Sequence, residues 1–459
     1  MKTLRHGSRF LNAQEEYMKI KLSDHFTFRK LFKFTISSIL MMIFTSIYSI
    51  VDGIFVSNFA GKESFAAVNL IMPIIMLFNG IGFMIGSGGS ALIAKFLGEK
   101  NSKKANELFS FLIYFTIGLG IILSFVAWFI IPKIAKLMGA EGNVYNYSVL
   151  YARTLITSTT AFMLQSIFQS FLIAAEKPQL GLILTLLAGF TNIILDFLFV
   201  GIFKWGIVGA AVATDISYFV GGIIPFIYFC VVKKSVLKLG KPSWDSRALF
   251  KTITNGSSEL LTSISSSLVG MLYNIQLLKY AGVDGVAAYG VIMYVGFIFA
   301  AIFIGYSMGA APVISYNYGA ENSLELKNIF KKSLFIIGIA SVFMFIASEA
   351  LSGVFSAIFT KYDEKLFELT KRAFKIYSFS FLLCGINIYG SSFFTALNNG
   401  LISAIISASR TLCFQVTFIL LLPVLLGSNG IWIAAPMAEF SCMCLTIIFL
   451  ITLRKKYNY

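Results

Sequence analysis

Two aspartates stand inside runs that are otherwise almost wholly apolar. Asp52 closes the run YSIVD (48–52) and Asp196 closes NIILD (192–196), with no Lys or Arg in either run. Tyr48 precedes Asp52 by four residues and Asn192 precedes Asp196 by four, so on a helix each pair shares a face. Thr214 lies in a third apolar run, 206–232. Two carboxylates, an amide, a hydroxyl and a phenol form a set of hard oxygen donors. Such a set suits a proton or Na⁺, because paired carboxylates raise one another's proton affinity and oxygen ligands favour hard cations. Nucleophilic or transition-metal chemistry is not indicated. The only histidines, His6 and His25, precede the apolar runs, and all five cysteines, Cys230, Cys384, Cys413, Cys442 and Cys444, fall within them as small hydrophobes.

The elements that must position these oxygens are membrane helices. With 57% hydrophobic residues, 13% charged and a mean hydropathy of +0.82, the chain is too apolar for a water-soluble fold. The predicted spans are 34–60, 65–95, 107–131, 147–174, 180–203 and 206–232, then 255–280, 286–316, 331–357, 370–396, 401–426 and 429–453. Each can cross a hydrocarbon core of about 30 Å. The fold class is therefore all-α integral membrane protein with twelve transmembrane helices, and the continuous runs exclude the alternating pattern of a β-barrel. Counted from the helix ends near Ala60, Phe203 and Gly206, the side chains of Asp52, Asp196 and Thr214 share one level, roughly 10 to 12 Å deep at 1.5 Å per residue.

The spans occur as a duplication. Sliding the chain by 221 residues lays Gly61, Ala66, Ala67, Gly88, Gly98 and Asn101 onto Gly282, Ala287, Ala288, Gly309, Gly319 and Asn322, and 12 of 42 positions match over 61–102. Matched glycines and asparagines exceed what a shared apolar bias would produce, and internal repeats of this kind mark secondary transporters. Six spans per repeat is an even number, so corresponding spans run in the same direction and the two six-helix bundles are related by a pseudo-twofold axis along the membrane normal. The expected units are a basic cytoplasmic segment (1–33) lying on the inner leaflet, a first lobe (34–232), a cytoplasmic linker (233–254), a second lobe (255–453) and a cytoplasmic tail (454–459). Placing both termini in the cytoplasm puts 25 of the 37 Lys and Arg inside and 10 outside, the positive-inside bias of a multi-pass plasma-membrane protein. The net charge of +16 then reflects loops beside anionic lipid and calls for no nucleic acid. Because one chain supplies both lobes, a monomer is expected.

Further charged residues in the spans mark a substrate cavity, since a buried charge in a bilayer is costly. Asp215 neighbours Thr214 but points about 100° away on a helix. At an offset of 224 it corresponds to Glu439, which is placed to attract a cationic substrate. Glu259, in GSSE (256–259) near the start of the seventh span, serves transport or local capping equally well. Arg410 either neutralises an acid or holds the lobes together. Pro73, Pro225, Pro312, Pro423 and Pro436 are expected to kink their helices.

The run YSIVD, the segment 192–214 (NIILDFLFVGIFKWGIVGAAVAT), the stretch around Ala66, Ala67 and Pro73, and the run 287–320 resemble the multidrug and toxic compound extrusion family, in its bacterial multidrug-export branch. The resemblance covers residues 30–455. It implies an antiporter, and not an enzyme, that exports cationic and often aromatic drugs or dyes while H⁺ or Na⁺ enters. It also implies an ion site in the first lobe at Asp52, Asn192, Asp196 and Thr214 with Tyr48 beside it, and no cofactor beyond Na⁺ as coupling ion. Many relatives carry a proline early in the first span, where this chain has Ser37 and Ser38. The rival readings are a lipid-linked oligosaccharide flippase of the same superfamily, whose cavity needs more cations than Arg153 and Arg410, and a membrane-bound transferase, for which the spans lack a catalytic motif.

Overall fold

The computed structural model describes residues 20–232, 235–361 and 363–459. Residues 1–19, which hold His6 and much of the expected basic segment, lie outside these. Among the described residues all regular structure is helical.

The first lobe begins with Phe28–Phe55, capped by Thr27 and continued by a π turn, Val56–Ala60. Lys62–Gly98 and Ser102–Leu137 follow as second and third spans. The fourth is broken into Gly142–Ile156 and Thr159–Ala174, bent by 58°. The fifth, Pro178–Asp196, ends in a π turn, Phe197–Ile202, and the sixth is Gly206–Val231. The sharp break at Thr157–Ser158 has no proline, whereas helix continues through all five prolines expected to kink.

The second lobe starts earlier than expected. Asp245 accepts from Ala248 N, so the seventh span begins at Ser246 and takes up nine residues assigned to the linker. Helix extends on to Gly319 but is broken once, at Gly282 (φ 67°, ψ −161°), where the chain reverses. Tyr273 and Tyr289 on either side of it stack with centroids 4.8 Å apart; a straight helix would hold them about 24 Å apart. Ser323–Thr360, Glu364–Ala396, Gly400–Leu426 and Ser428–Thr452 complete the lobe. Among the described residues ten helices and the bent pair are long and apolar enough to cross a membrane, and dividing the one that reverses at Gly282 makes twelve spans.

The pseudo-twofold relation is written in reciprocal contacts. A Cβ on Gly98 would come within 2.0 Å of Tyr316 O, and a Cβ on its repeat partner Gly319 within 2.2 Å of Lys95 O, the repeat partner of Tyr316. Likewise Gly88 abuts Gly256 while Gly309 abuts Thr35, the same pair shifted by 221 residues. All these contacts lie at the end of the molecule carrying Lys95, Lys251 and the other clustered cations. A shared core closes this basic end, with Phe34, Ile39 and Met42 packed against Phe303, Tyr306 and Ala310. Toward the other end the lobes part, and a Cβ at Gly53 or Gly290 would meet nothing within 4 Å.

Residues 20–27 correct the expectation of a segment lying on the bilayer surface. Leu22 and Phe26 are fully buried. Leu22 N donates to Glu176 Oε1 (2.8 Å) in the first lobe, and Phe26 N donates to Glu325 Oε1 (2.8 Å) in the second. His25 Nδ1 pairs with Glu325 Oε2 at 2.6 Å, and Lys332 Nζ donates to Phe26 O at 2.6 Å. The segment is a strap across both lobes at the basic end.

Candidate functional site

In the first lobe, Tyr48, Asp52, Asn192 and Thr214 line one cavity of about 130 Å³, with Asp196 fully buried beside it. The first and fifth spans supply the acids, and each acid stands shortly before a π turn, a local widening common at functional positions. Asp52 and Asp196 are neighbours there, close enough for each carboxylate to feel the other's charge. Asn192 Nδ2 donates to Thr214 Oγ1 at 3.4 Å, which leaves Asn192 Oδ1 pointing elsewhere. That oxygen, Asp52 Oδ1 and both carboxylate oxygens of Asp196 are buried without a hydrogen-bond partner among the described residues. No Lys or Arg lines the cavity. Two neighbouring buried carboxylates with no cation beside them repel one another as bare anions, a repulsion that one proton or small cation would relieve.

The cavity is completed by residues that the sequence reading did not single out: Tyr151, Gln165, Gln169, Ser217 and Tyr218. Gln165 and Gln169 are four apart, the same spacing as Tyr48 and Asp52, but lie among Ser166 and Ser170, and their Oε1 atoms are also buried and without a partner among the described residues. Arg153, in the first segment of the fourth span, stacks its guanidinium on Trp128, 5.0 Å from the ring centre.

The residues assigned to a substrate cavity separate. Asp215 is not in the lining of the cavity that holds Asp52: its carboxylate accepts from Thr157 Oγ1 (3.1 Å) and from Ser158 Oγ, so it pins the break of the fourth span to the sixth. Glu439 is 6% exposed and fully engaged, accepting from Arg410 Nε (2.8 Å) and Asn387 Nδ2 (2.7 Å). Arg410 therefore neutralises an acid of its own lobe and does not bridge the lobes. Glu259 lies well beyond the first turn of the seventh span, which removes the capping reading. It lines a cavity of about 90 Å³ between the lobes with Ser87, Ser90, Thr262 and Ser307, and Arg410 reaches the same cavity. Glu259 has no ion-pair or hydrogen-bond partner among the described residues.

Comparison with known proteins agrees with this architecture. The chain is 26% identical over 432 residues to the multidrug export protein MepA of Staphylococcus aureus (strain MRSA252), with 94% of each chain covered. It is 26% identical over 437 residues to the protein of the same name from Staphylococcus haemolyticus, again covering 94% of each. Among solved structures, a MATE protein crystallised with MaL6 superposes with a TM-score of 0.89 at 21% identity, over 95% of this chain and 98% of that one. The outward-facing conformation of a multidrug resistance MATE transporter of the MOP superfamily gives 0.89 at 21%, over 95% and 97%. The MatE family model matches twice, at 37–198 and 260–421, one copy in each half of the duplication and most of the chain in all; this multi-pass membrane protein therefore belongs to the MatE family of transporters.

Proposed function

We propose that the protein is a secondary active antiporter that exports cationic, often aromatic drugs in exchange for H⁺ or Na⁺ by alternating access of its two lobes. The observation that carries this reading is the group of four buried, donor-less oxygens on Asp52, Asp196 and Asn192. Such a group is unfavourable when empty and satisfied by one proton or one Na⁺. Thr214 and Asn192 hold each other in place, and Tyr48 closes one side. The ion draws the first and fifth spans together, and their π turns give the backbone room to follow.

With the basic end cytoplasmic, closed lobes at that end make this the outward-open arrangement. Glu259, unpaired in the cavity between the lobes, is the residue that attracts a substrate cation. Glu439 contributes no net charge, because Arg410 cancels it. The export reading is supported by the relatives named multidrug export protein. The lipid-linked oligosaccharide flippase fits less well, since among the described residues Arg410 is the only cation lining that cavity and Glu439 already holds it.

The test is ethidium efflux from proteoliposomes under separate proton and sodium gradients. Asp52→Asn and Asp196→Asn should each abolish gradient-driven efflux while the protein still purifies folded, and the gradient that drives the wild type identifies the coupling ion. Undiminished efflux in both variants would remove the ion site from this place.

A further inference from the structure

At the basic end, outside the transport path, a cavity of about 300 Å³ lies between the strap, the first span and the start of the fifth, lined by Ile20, Lys33, Glu176, Lys177, Gln179 and Tyr228 among others. Neither Lys33 nor Lys177 has a carboxylate partner within ion-pair distance among the described residues. Lys177 Nζ sits over the Tyr228 ring, 5.1 Å from its centre. The Tyr228 hydroxyl is buried and has no hydrogen-bond partner among the described residues. The one acid in the lining, Glu176, has its Oε1 occupied by Leu22 N. Two ammonium groups and one hydroxyl donor, unpaired with any acid or acceptor among the described residues, thus border a space of headgroup size, with cations in excess of acids in its lining.

The surroundings say what kind of anion fits. From Gln179 the fifth span continues with Ile183, Leu187, Phe190 and Ile194, spaced by four, four, three and four residues, and all of them are exposed. That spacing is one helix face. It lies opposite the buried face of Gly181, Thr185, Ala188 and Asn192. An apolar stripe therefore descends from the cationic cavity along the lipid-facing side, so that a molecule with an anionic head and acyl chains is matched along its whole length. Basic pockets at the ends of membrane helices recognise lipid headgroups in this way.

We propose that this cavity is a binding site for one anionic phospholipid, whose phosphate is held by Lys33, Lys177 and the Tyr228 hydroxyl and whose chains run down the fifth span. The site is separate from the ion and drug sites and does not depend on how transport is coupled. Because the strap and Glu176 form one wall, a bound headgroup also packs against the segment that ties the lobes together.

Native mass spectrometry of the purified full chain, titrated with phosphatidylglycerol or phosphatidylcholine, provides the test. The wild type should retain one phosphatidylglycerol in preference to phosphatidylcholine. Lys33→Gln combined with Lys177→Gln should weaken that retention roughly 10- to 30-fold, Tyr228→Phe should weaken it less, and the surface pair Lys103→Gln with Lys241→Gln should leave it unchanged. Equal retention by the wild type and the Lys33/Lys177 variant overturns the site. Glycerol 1-phosphate, which lacks acyl chains, should not displace the lipid at equal concentration; if it does, the cavity is a site for free phosphate and the lipid reading is wrong. Should the double variant not fold, a photoactivatable phosphatidylglycerol on the wild type must label peptides containing residues 33 and 177–180, and labelling elsewhere counts against the proposal.

Discussion

Arg410 and Glu439 show how two costly residues become tolerable. Each would be strongly unfavourable alone at this depth, but the 2.8 Å contact, with Asn387 on the other carboxylate oxygen and Thr446 Oγ1 donating to Asn387 Oδ1 (3.1 Å), satisfies both. Removing one partner leaves a bare buried charge. Glu439→Gln should therefore lower stability by about 3–5 kcal/mol, and Arg410→Met combined with Glu439→Leu should recover most of it. Thermal unfolding in detergent measures both, and a double variant less stable than the single would show that the pair matters for more than mutual neutralisation. Asp215 obeys the same logic with neutral partners, using the hydroxyls of Thr157 and Ser158 at a point where the helix ladder is already broken.

At the scale of elements, the first span replaces an expected proline with hydroxyls. Thr35, Thr45, Ser46 and Ser49 each donate to the carbonyl four residues back, and Ser38 to the carbonyl of Thr35. Such back-bonding bends helices slightly without removing a donor. Ser38 is also where the eighth span approaches, since a Cβ on Gly309 would lie 2.3 Å from its Oγ. Between the second and eighth spans, Gly98 and Gly319 permit backbone contact that no larger residue allows. Gly98→Ala and Gly319→Ala should weaken closure of the basic end, and by similar amounts, because the two contacts are copies of one another. Thiol labelling of Tyr316→Cys, or of Lys95→Cys, in each background reads this out; an effect confined to one glycine would contradict the reciprocal arrangement.

For the whole molecule, the lobes are held at the basic end by glycine contacts, by a common core and by the strap, whereas toward the other end a Cβ at Gly53 or Gly290 would meet nothing within 4 Å. The alternating access proposed above requires that seal to open. Glu325 anchors the strap through Phe26 N and His25, so Glu325→Ala should expose residues 20–27 and favour opening at the basic end. Hydrogen exchange at Leu22 and Phe26 is the direct measurement, and unchanged protection there would mean that the strap is held by its buried side chains alone.

The sequence by itself determined the twelve spans, their duplication and the depth of Asp52, Asp196 and Thr214, because apolar length, repeat offset and a rise of 1.5 Å per residue are properties of a single chain. It also placed Asp215 on a different face from Thr214. Only the tertiary structure decided what each polar group meets. The rotation and bending of neighbouring helices set whether Gln165 and Tyr218 face the cavity, whether Arg410 finds Glu439, and whether Asp215 meets the break in the fourth span. Gln165 and Gln169 cost less to bury than an acid and are flanked by Ser166 and Ser170, so they did not stand out from the sequence as Asp52 and Asp196 did. The strap was illegible for a related reason: a short mixed segment has no periodicity, and its burial of Leu22 and Phe26 depends on two lobes whose meeting no local pattern encodes.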